Sequence, residues 1–74
     1  MSALVKPIGT LKKYVDGRSQ ITIVAGCTVR EALKMLGIPS EIVALVLVND
    51  KPQAKDYYLC DEDVVALLAV VGGG

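Results

Sequence analysis

The sequence contains no histidine, no tryptophan and no phenylalanine, and its only aromatic residues are three tyrosines. Without histidine, the chain lacks the commonest general base and metal ligand of enzyme active sites. The two cysteines, Cys27 and Cys60, have neither a histidine partner nor CxxC spacing, which argues against a zinc site or a thiol nucleophile. We interpret them as reduced, partly buried thiols. The sequence therefore predicts a protein that is not an enzyme and binds no metal or cofactor.

The chain also lacks an excess of charge of either sign, since eight basic residues balance eight acidic ones. Nucleic-acid backbones and anionic membranes both attract basic proteins, so neither is expected as a partner. The longest apolar run, residues 64–71, is too short to cross a bilayer, and no secretory signal precedes the first strand. We expect a cytoplasmic protein with one domain over residues 1–74.

Apolar segments bounded by glycine and proline predict four to five strands around one helix. The strands are expected at residues 3–8, 18–24, 44–48 and 64–71, with a short one near Gln53. The run at 44–48 (ALVLV) is uniformly apolar, which predicts a strand covered on both faces. Residues 10–15 fit one helical turn, and the Asp-Gly and Asn-Asp pairs at 16–17 and 49–50 predict turns.

The helix is predicted by its start, its apolar stripe and its end. Thr28 and Glu31 match a capping box, and Gly37 followed by Pro39 ends the helix. The stripe repeats at helical spacing through Val29, Ala32, Leu33 and Leu36. One helix with a single apolar face must pack on the sheet. The predicted fold is α+β, a mixed sheet with one main helix across it, as in the β-grasp arrangement.

Three glycines, Gly72, Gly73 and Gly74, follow the last apolar strand. We expect an exposed, flexible tail at 72–74, although a frayed end would look the same. Three extended residues reach about 10 Å, and without Cβ atoms they fit a narrow channel. Such a tail would present the Gly74 carboxylate to another protein. Because a carboxylate is a poor electrophile, a partner enzyme must activate it.

The acidic run Asp61, Glu62 and Asp63 lies in a predicted turn just before the last strand. Adjacent carboxylates in a turn are usually a solvated charge cluster, so we do not assign them a metal. A second interpretation is that they dock onto a basic patch of a partner.

Five segments of the sequence together resemble the sulfur-carrier family of the ThiS/MoaD type, which are small ubiquitin-like β-grasp proteins. They are VKPIGTLKKYV, GCTVREALKMLGIP, ALVLVND, DYYLCDEDVV and the terminal Gly-Gly. Their order and spacing extend the resemblance over essentially the whole chain. Three positions depart from the family pattern. Glu62 and Asp50 stand where the family usually has glycine, and Gly72 extends the usual glycine pair to a triplet.

The resemblance implies a mechanism. A ubiquitin-activating-like adenylyltransferase would use ATP to convert the Gly74 carboxylate to an acyl-adenylate, and sulfur from a persulfide would then replace AMP to leave a thiocarboxylate. Of the family's functional residues, Gly73 and Gly74 carry over. The apolar face of the last strand, including Leu68, Val70 and Val71, looks like the docking surface for partners, and the alternative interpretation is that these residues belong to the core.

The pathway is less well defined by the sequence. The segment IGTLKKYV is more similar to molybdopterin-synthase small subunits than to thiamine carriers, which favours molybdenum or tungsten cofactor synthesis. The sulfur acceptor would then be the large subunit of that synthase, and this chain its non-catalytic small subunit. The alternatives are a sulfur carrier for thiazole synthase in thiamine synthesis, and a ubiquitin-like protein modifier or tRNA-thiolation carrier. A plain interaction domain with an inert tail is the alternative from another class.

Overall fold

Five strands form one mixed sheet in the computed structural model, which describes residues 1–69. The spatial order is β2-β1-β5-β3-β4. Central strands β1 and β5 run parallel, and every other neighbouring pair is antiparallel. The strands are β1 (Ser2–Pro7), β2 (Ile21–Val24), β3 (Val43–Val48), β4 (Lys51–Pro52) and β5 (Val64–Ala69). The predicted α+β class with a mixed sheet is confirmed.

A single α-helix, α1 (Val29–Leu36), packs against one face of the sheet. The predicted capping box is present: the Thr28 hydroxyl accepts from the Glu31 N–H at 3.1 Å, and the Glu31 carboxylate accepts from the Thr28 N–H at 2.8 Å. The helix ends where Gly37 adopts the left-handed conformation, with φ of 75°. Both helix boundaries therefore follow from local backbone chemistry.

The core lies between α1 and the inner face of the sheet and is entirely aliphatic. The prediction that β3 is covered on both faces is wrong. Val46 and Val48 are buried, but Leu45 is 40% exposed and Leu47 is half-buried. A single helix covers only one face, so every second side chain of β3 points away from the core.

The connections differ from the sequence predictions in length. The segment after β1 is a 3₁₀ helix over Gly9–Val15, longer than the single turn expected, and buried Leu11 and Val15 anchor it. A second 3₁₀ helix covers Ser40–Ile42. Because the first 3₁₀ helix is longer than expected, β2 begins only at Ile21, three residues later than predicted. The short fourth strand lies at Lys51–Pro52 rather than at Gln53.

Two turn residues, Asp50 and Glu62, hold a backbone conformation that suits glycine better than other residues. Asp50 and Glu62 have φ of 70° and 68°, in the left-handed region that glycine adopts without strain. Asn49, with φ of 52°, completes the two-residue hairpin turn between β3 and β4 with Asp50. The acidic turn before β5 therefore holds a strained residue at its centre.

Replacing Glu62 by glycine should stabilise the domain. Glu62→Gly relieves the left-handed strain at an exposed position, and we expect a gain of about 0.5–1 kcal/mol, or roughly 2–8 °C in the unfolding midpoint. The matched control is Asp61→Gly in the same turn, which removes the carboxylate that accepts from the Ser2 N–H at 2.9 Å. Thermal unfolding followed by circular dichroism should rank Glu62→Gly above wild type and Asp61→Gly below it. The reverse ranking would contradict the strain argument.

Candidate functional site

The strand that leads towards the predicted tail lies at the centre of the sheet. β5 pairs with β1 on one side and with β3 on the other, and its inward side chains Val65 and Leu67 are each 1% exposed. The predicted tail residues Gly72, Gly73 and Gly74, and the predicted docking residues Val70 and Val71, lie outside the described residues. The roles given to these five residues stay predictions.

The side of the sheet opposite α1 carries a continuous apolar surface beside the exposed Lys6, and no element packs on it among residues 1–69. We call this surface the open face; it consists of Leu4, Leu45, Leu47, Val64, Ala66 and Leu68. Register places these side chains in neighbouring pairs, Leu68 beside Leu45 and Ala66 beside Leu47 on adjacent strands. Each is half-buried or exposed, whereas their inward neighbours are buried. The predicted docking residue Leu68 is therefore one member of a continuous apolar surface.

The acidic turn lies at the start of β5, and the predicted tail follows the end of this strand in the sequence. Residues 61–63 immediately precede the strand, whose six residues span about 20 Å before the chain reaches residue 70. Asp61 and Glu62 are exposed, and the docking role predicted for them stays a prediction. The structure does not bring the acidic turn together with Leu68.

The docking role predicted for Asp63 is corrected by its burial. Its side chain points inward, the residue is only 6% exposed, and its carboxylate accepts three hydrogen bonds. The donors are the Asn49 amide at 2.9 Å, the Cys60 backbone N–H at 2.8 Å and the Tyr57 hydroxyl at 3.3 Å. Asp63 therefore joins the hairpin turn after β3 to the loop before β5, and its role is structural.

The surroundings of Tyr57 favour the protonated form of its phenol. Burial raises the pKa of the Tyr57 phenol, and the neighbouring Asp63 carboxylate raises it further. The hydroxyl thus stays a hydrogen-bond donor to Asp63 at neutral pH. Tyr57 is half-buried, while its neighbour Tyr58 is 67% exposed.

Sequence analysis missed the role of Asn49, which it treated only as a turn residue. Besides donating to Asp63, the Asn49 side chain accepts from the Val64 N–H at 3.0 Å, and its backbone N–H donates to the Val64 carbonyl at 2.8 Å. An asparagine suits this position twice, because it tolerates positive φ and carries both a donor and an acceptor. The sequence signal for this role was an asparagine, which tolerates a left-handed turn, placed directly after the apolar strand β3.

Neither cysteine forms a disulfide in the structure. Cys27 is half-buried, as predicted, but Cys60 is exposed rather than partly buried. Within residues 1–69 no three metal-ligating side chains of the His, Cys, Asp or Glu type cluster closely enough to hold an ion. No helix in the same part of the chain has both the length and the apolar character needed to cross a membrane.

A protein-family model named ThiS family matches residues 5–74. No curated protein resembles the sequence closely enough to count as a match. The comparison at the level of families therefore covers nearly the whole chain, including its terminal glycines.

Several solved structures share the fold. SAMP1 from Haloferax volcanii is 23% identical over the whole of both chains, with a TM-score of 0.72. Urm1 from Trypanosoma brucei is 18% identical, covering 99% of this chain and 95% of that one, with a TM-score of 0.73. A subunit in the complex of subunits 1 and 2 of the molybdopterin-converting factor from Helicobacter pylori is 25% identical over both whole chains, with a TM-score of 0.65. The predicted ubiquitin-like β-grasp fold is confirmed.

Proposed function

The chain belongs to the ThiS family of ubiquitin-like sulfur carriers, and on that premise we propose that it carries sulfur as a thiocarboxylate on Gly74. The observation that carries the proposal is the family match, which reaches Gly74 itself. The fold supports it, because the tail follows a strand that is hydrogen-bonded on both sides. A rigid central strand fixes the point from which the tail begins. Partners would bind the folded domain and react with the tail.

The proposed chemistry takes place on partner enzymes and consumes ATP there. The Gly74 carboxylate attacks the α-phosphate of ATP, which releases pyrophosphate and forms an acyl-adenylate. A persulfide sulfur then attacks the acyl carbon and displaces AMP to form an acyl disulfide. A thiol of the donor system cleaves that disulfide, which leaves the thiocarboxylate on Gly74 and a disulfide on the donor. The chain itself supplies the acyl group and needs no bound cofactor.

We propose that partners bind the carrier through the open face. It is the uncovered apolar surface on the strand that leads to the tail, and Leu68 lies one residue before the last described position. Desolvated aliphatic contacts of this kind can hold a partner while the tail enters its active site. Two partners are proposed: a ubiquitin-activating-like adenylyltransferase and a sulfur acceptor.

We propose the large subunit of molybdopterin synthase as the acceptor, and thus a role in molybdenum or tungsten cofactor synthesis. The support is the likeness to a subunit of the Helicobacter pylori complex, together with the segment IGTLKKYV. Thiazole synthase in thiamine synthesis is the alternative acceptor. A ubiquitin-like modifier or tRNA-thiolation carrier would use the same tail.

The experiment incubates the purified chain with ATP, the adenylyltransferase of its own organism and a persulfide donor. Accurate intact mass should show one oxygen replaced by one sulfur, at a mass distinguishable from oxidation of a thiol. Omission of ATP is the control and should leave the mass unchanged. The sulfur-loaded chain is then offered to each candidate acceptor, and the pathway is the one whose product forms. An unchanged mass with every adenylyltransferase of that organism would reject the proposal.

A further inference from the structure

The two edges of the sheet differ in how well they are protected against pairing with another strand. β4, on one edge, consists of Lys51 and Pro52, and a charged side chain and a missing N–H both discourage strand addition. β2, on the other edge, has the sequence Ile-Thr-Ile-Val, so each of its residues is β-branched and none is charged. No strand among residues 1–69 pairs with the free side of β2. This edge is therefore open to another strand.

The backbone groups on the free side of β2 belong to Thr22 and Val24. In an antiparallel pair every second residue exchanges hydrogen bonds with the partner strand, and the residues between them point away from it. The Ala25 N–H donates to the Met1 carbonyl at 3.2 Å, and the pairing of β1 with β2 continues that register. Counting back from position 25 in steps of two, positions 23 and 21 bond to β1. The N–H and C=O groups at positions 22 and 24 therefore point away from the sheet.

These two residues are spaced so that β2 can pair with a copy of itself. A two-fold axis perpendicular to the sheet at Ile23 brings Thr22 of each copy opposite Val24 of the other. Each of these pairs exchanges two hydrogen bonds, so every N–H and C=O group on the free side of β2 finds a partner. The side chains also match, because exposed Thr22 and Val24 meet on one face of the sheet and half-buried Ile23 meets its own copy on the other.

We propose that the chain forms a symmetric dimer in which β2 pairs antiparallel with β2 of a second copy. β2 carries no charge that would select a partner of opposite sign, and eight basic against eight acidic residues leave no net repulsion between copies. Pairing also covers Val24, which is 75% exposed in the single chain. Because so short a strand buries a small area, we expect weak association, with a dissociation constant on the order of 0.1 mM.

The dimer leaves the open face uncovered. Since the two-fold axis is perpendicular to the sheet, the open faces of both copies lie on one side of the joined sheet and both α1 helices lie on the other. β1 separates β2 from β5, so the end of each β5 stays away from the interface. Dimerisation is therefore compatible with the proposed sulfur transfer, and a failure of either one leaves the other intact.

The test measures sedimentation equilibrium of the purified chain over a range of concentrations that spans the expected dissociation constant. Wild type should show a reversible equilibrium between monomer and dimer. Thr22→Lys combined with Val24→Lys places like charges directly opposite each other in both pairs and should raise the dissociation constant about tenfold or more. Both side chains are exposed in the single chain, so this double variant keeps the core intact, which thermal unfolding checks.

A charge-swapped variant tests the register, and a second lysine pair controls for added charge. Thr22→Glu combined with Val24→Lys places opposite charges across the axis and should dimerise with a dissociation constant within about threefold of wild type. Ala44→Lys combined with Ala54→Lys adds the same net charge at exposed positions on β3 and after β4. This control should dimerise as wild type.

Amide hydrogen exchange locates the interface directly. The Thr22 and Val24 N–H groups should be protected at high concentration and lose that protection on dilution, whereas those of Ile21 and Ile23 should stay protected. A monomer at every concentration overturns the dimer and leaves the β2 edge to a strand of another protein. A dimer that the lysine pair at positions 22 and 24 does not weaken, or that the charge-swapped variant does not form, also overturns the proposal.

Discussion

Deletion of Gly74 is expected to reduce thiocarboxylate formation by about 100-fold or more, because the reacting carboxyl group is then withdrawn by one residue from the partner's active site. The free energy of unfolding should change by less than about 0.5 kcal/mol if the tail contributes nothing to the core. The measurement pairs accurate mass after the ATP-dependent reaction with urea unfolding of the same sample. Loss of both activity and stability would show that the tail is structural instead.

The matched control for this prediction adds a residue instead of removing one. A glycine appended after Gly74 moves the carboxyl group outward and should block the reaction as effectively as the deletion. A glycine added before Met1, which is 93% exposed at the other end of the chain, should leave the reaction unchanged. Equal activity for the two extended chains would favour the alternative of an interaction domain with an inert tail.

Asp63→Ala should have the largest effect on stability of any exchange in the acidic turn. The change leaves the Asn49 amide, the Tyr57 hydroxyl and the Cys60 N–H without their acceptor in a partly buried place. We expect a loss of about 2–4 kcal/mol, which is a large part of the stability of so small a domain. Urea unfolding monitored by circular dichroism measures it.

The control is the neighbouring carboxylate. Asp61 accepts one hydrogen bond, from the Ser2 N–H, at the exposed surface. Asp61→Ala should therefore cost less than about 1 kcal/mol. If the two alanine variants lose equal stability, Asp63 does not organise the turn as proposed, and the docking role predicted from the sequence regains support.

Features that depend on neighbours in the sequence were predictable, whereas features that depend on contacts between distant segments were not. The capping box at Thr28 and Glu31 and the stop at Gly37 are local features, and the structure has both. By contrast, the exposed side of β3 and the burial of Asp63 depend on which face α1 covers and on where Asn49 arrives from a distant strand. A run of three acidic residues does not show which of their side chains points into the core.

The functional surface was predictable in part for the same reason. Leu68 could be placed near the tail from sequence order alone. Leu45 and Leu47 join it in one apolar surface only because β3 lies beside β5 in the sheet. The alternation of residues along a strand shows on which face of the sheet each side chain lies. It does not show which strands are the neighbours of that strand.

The most direct test of the account is to locate the transferred sulfur by fragmenting the loaded chain in a tandem mass spectrometer. The account predicts that the sulfur-for-oxygen exchange is confined to the fragment ending at Gly74, and that fragments containing Cys27 or Cys60 keep their ordinary masses. Added sulfur on either cysteine, with an unmodified carboxyl group at Gly74, would contradict it.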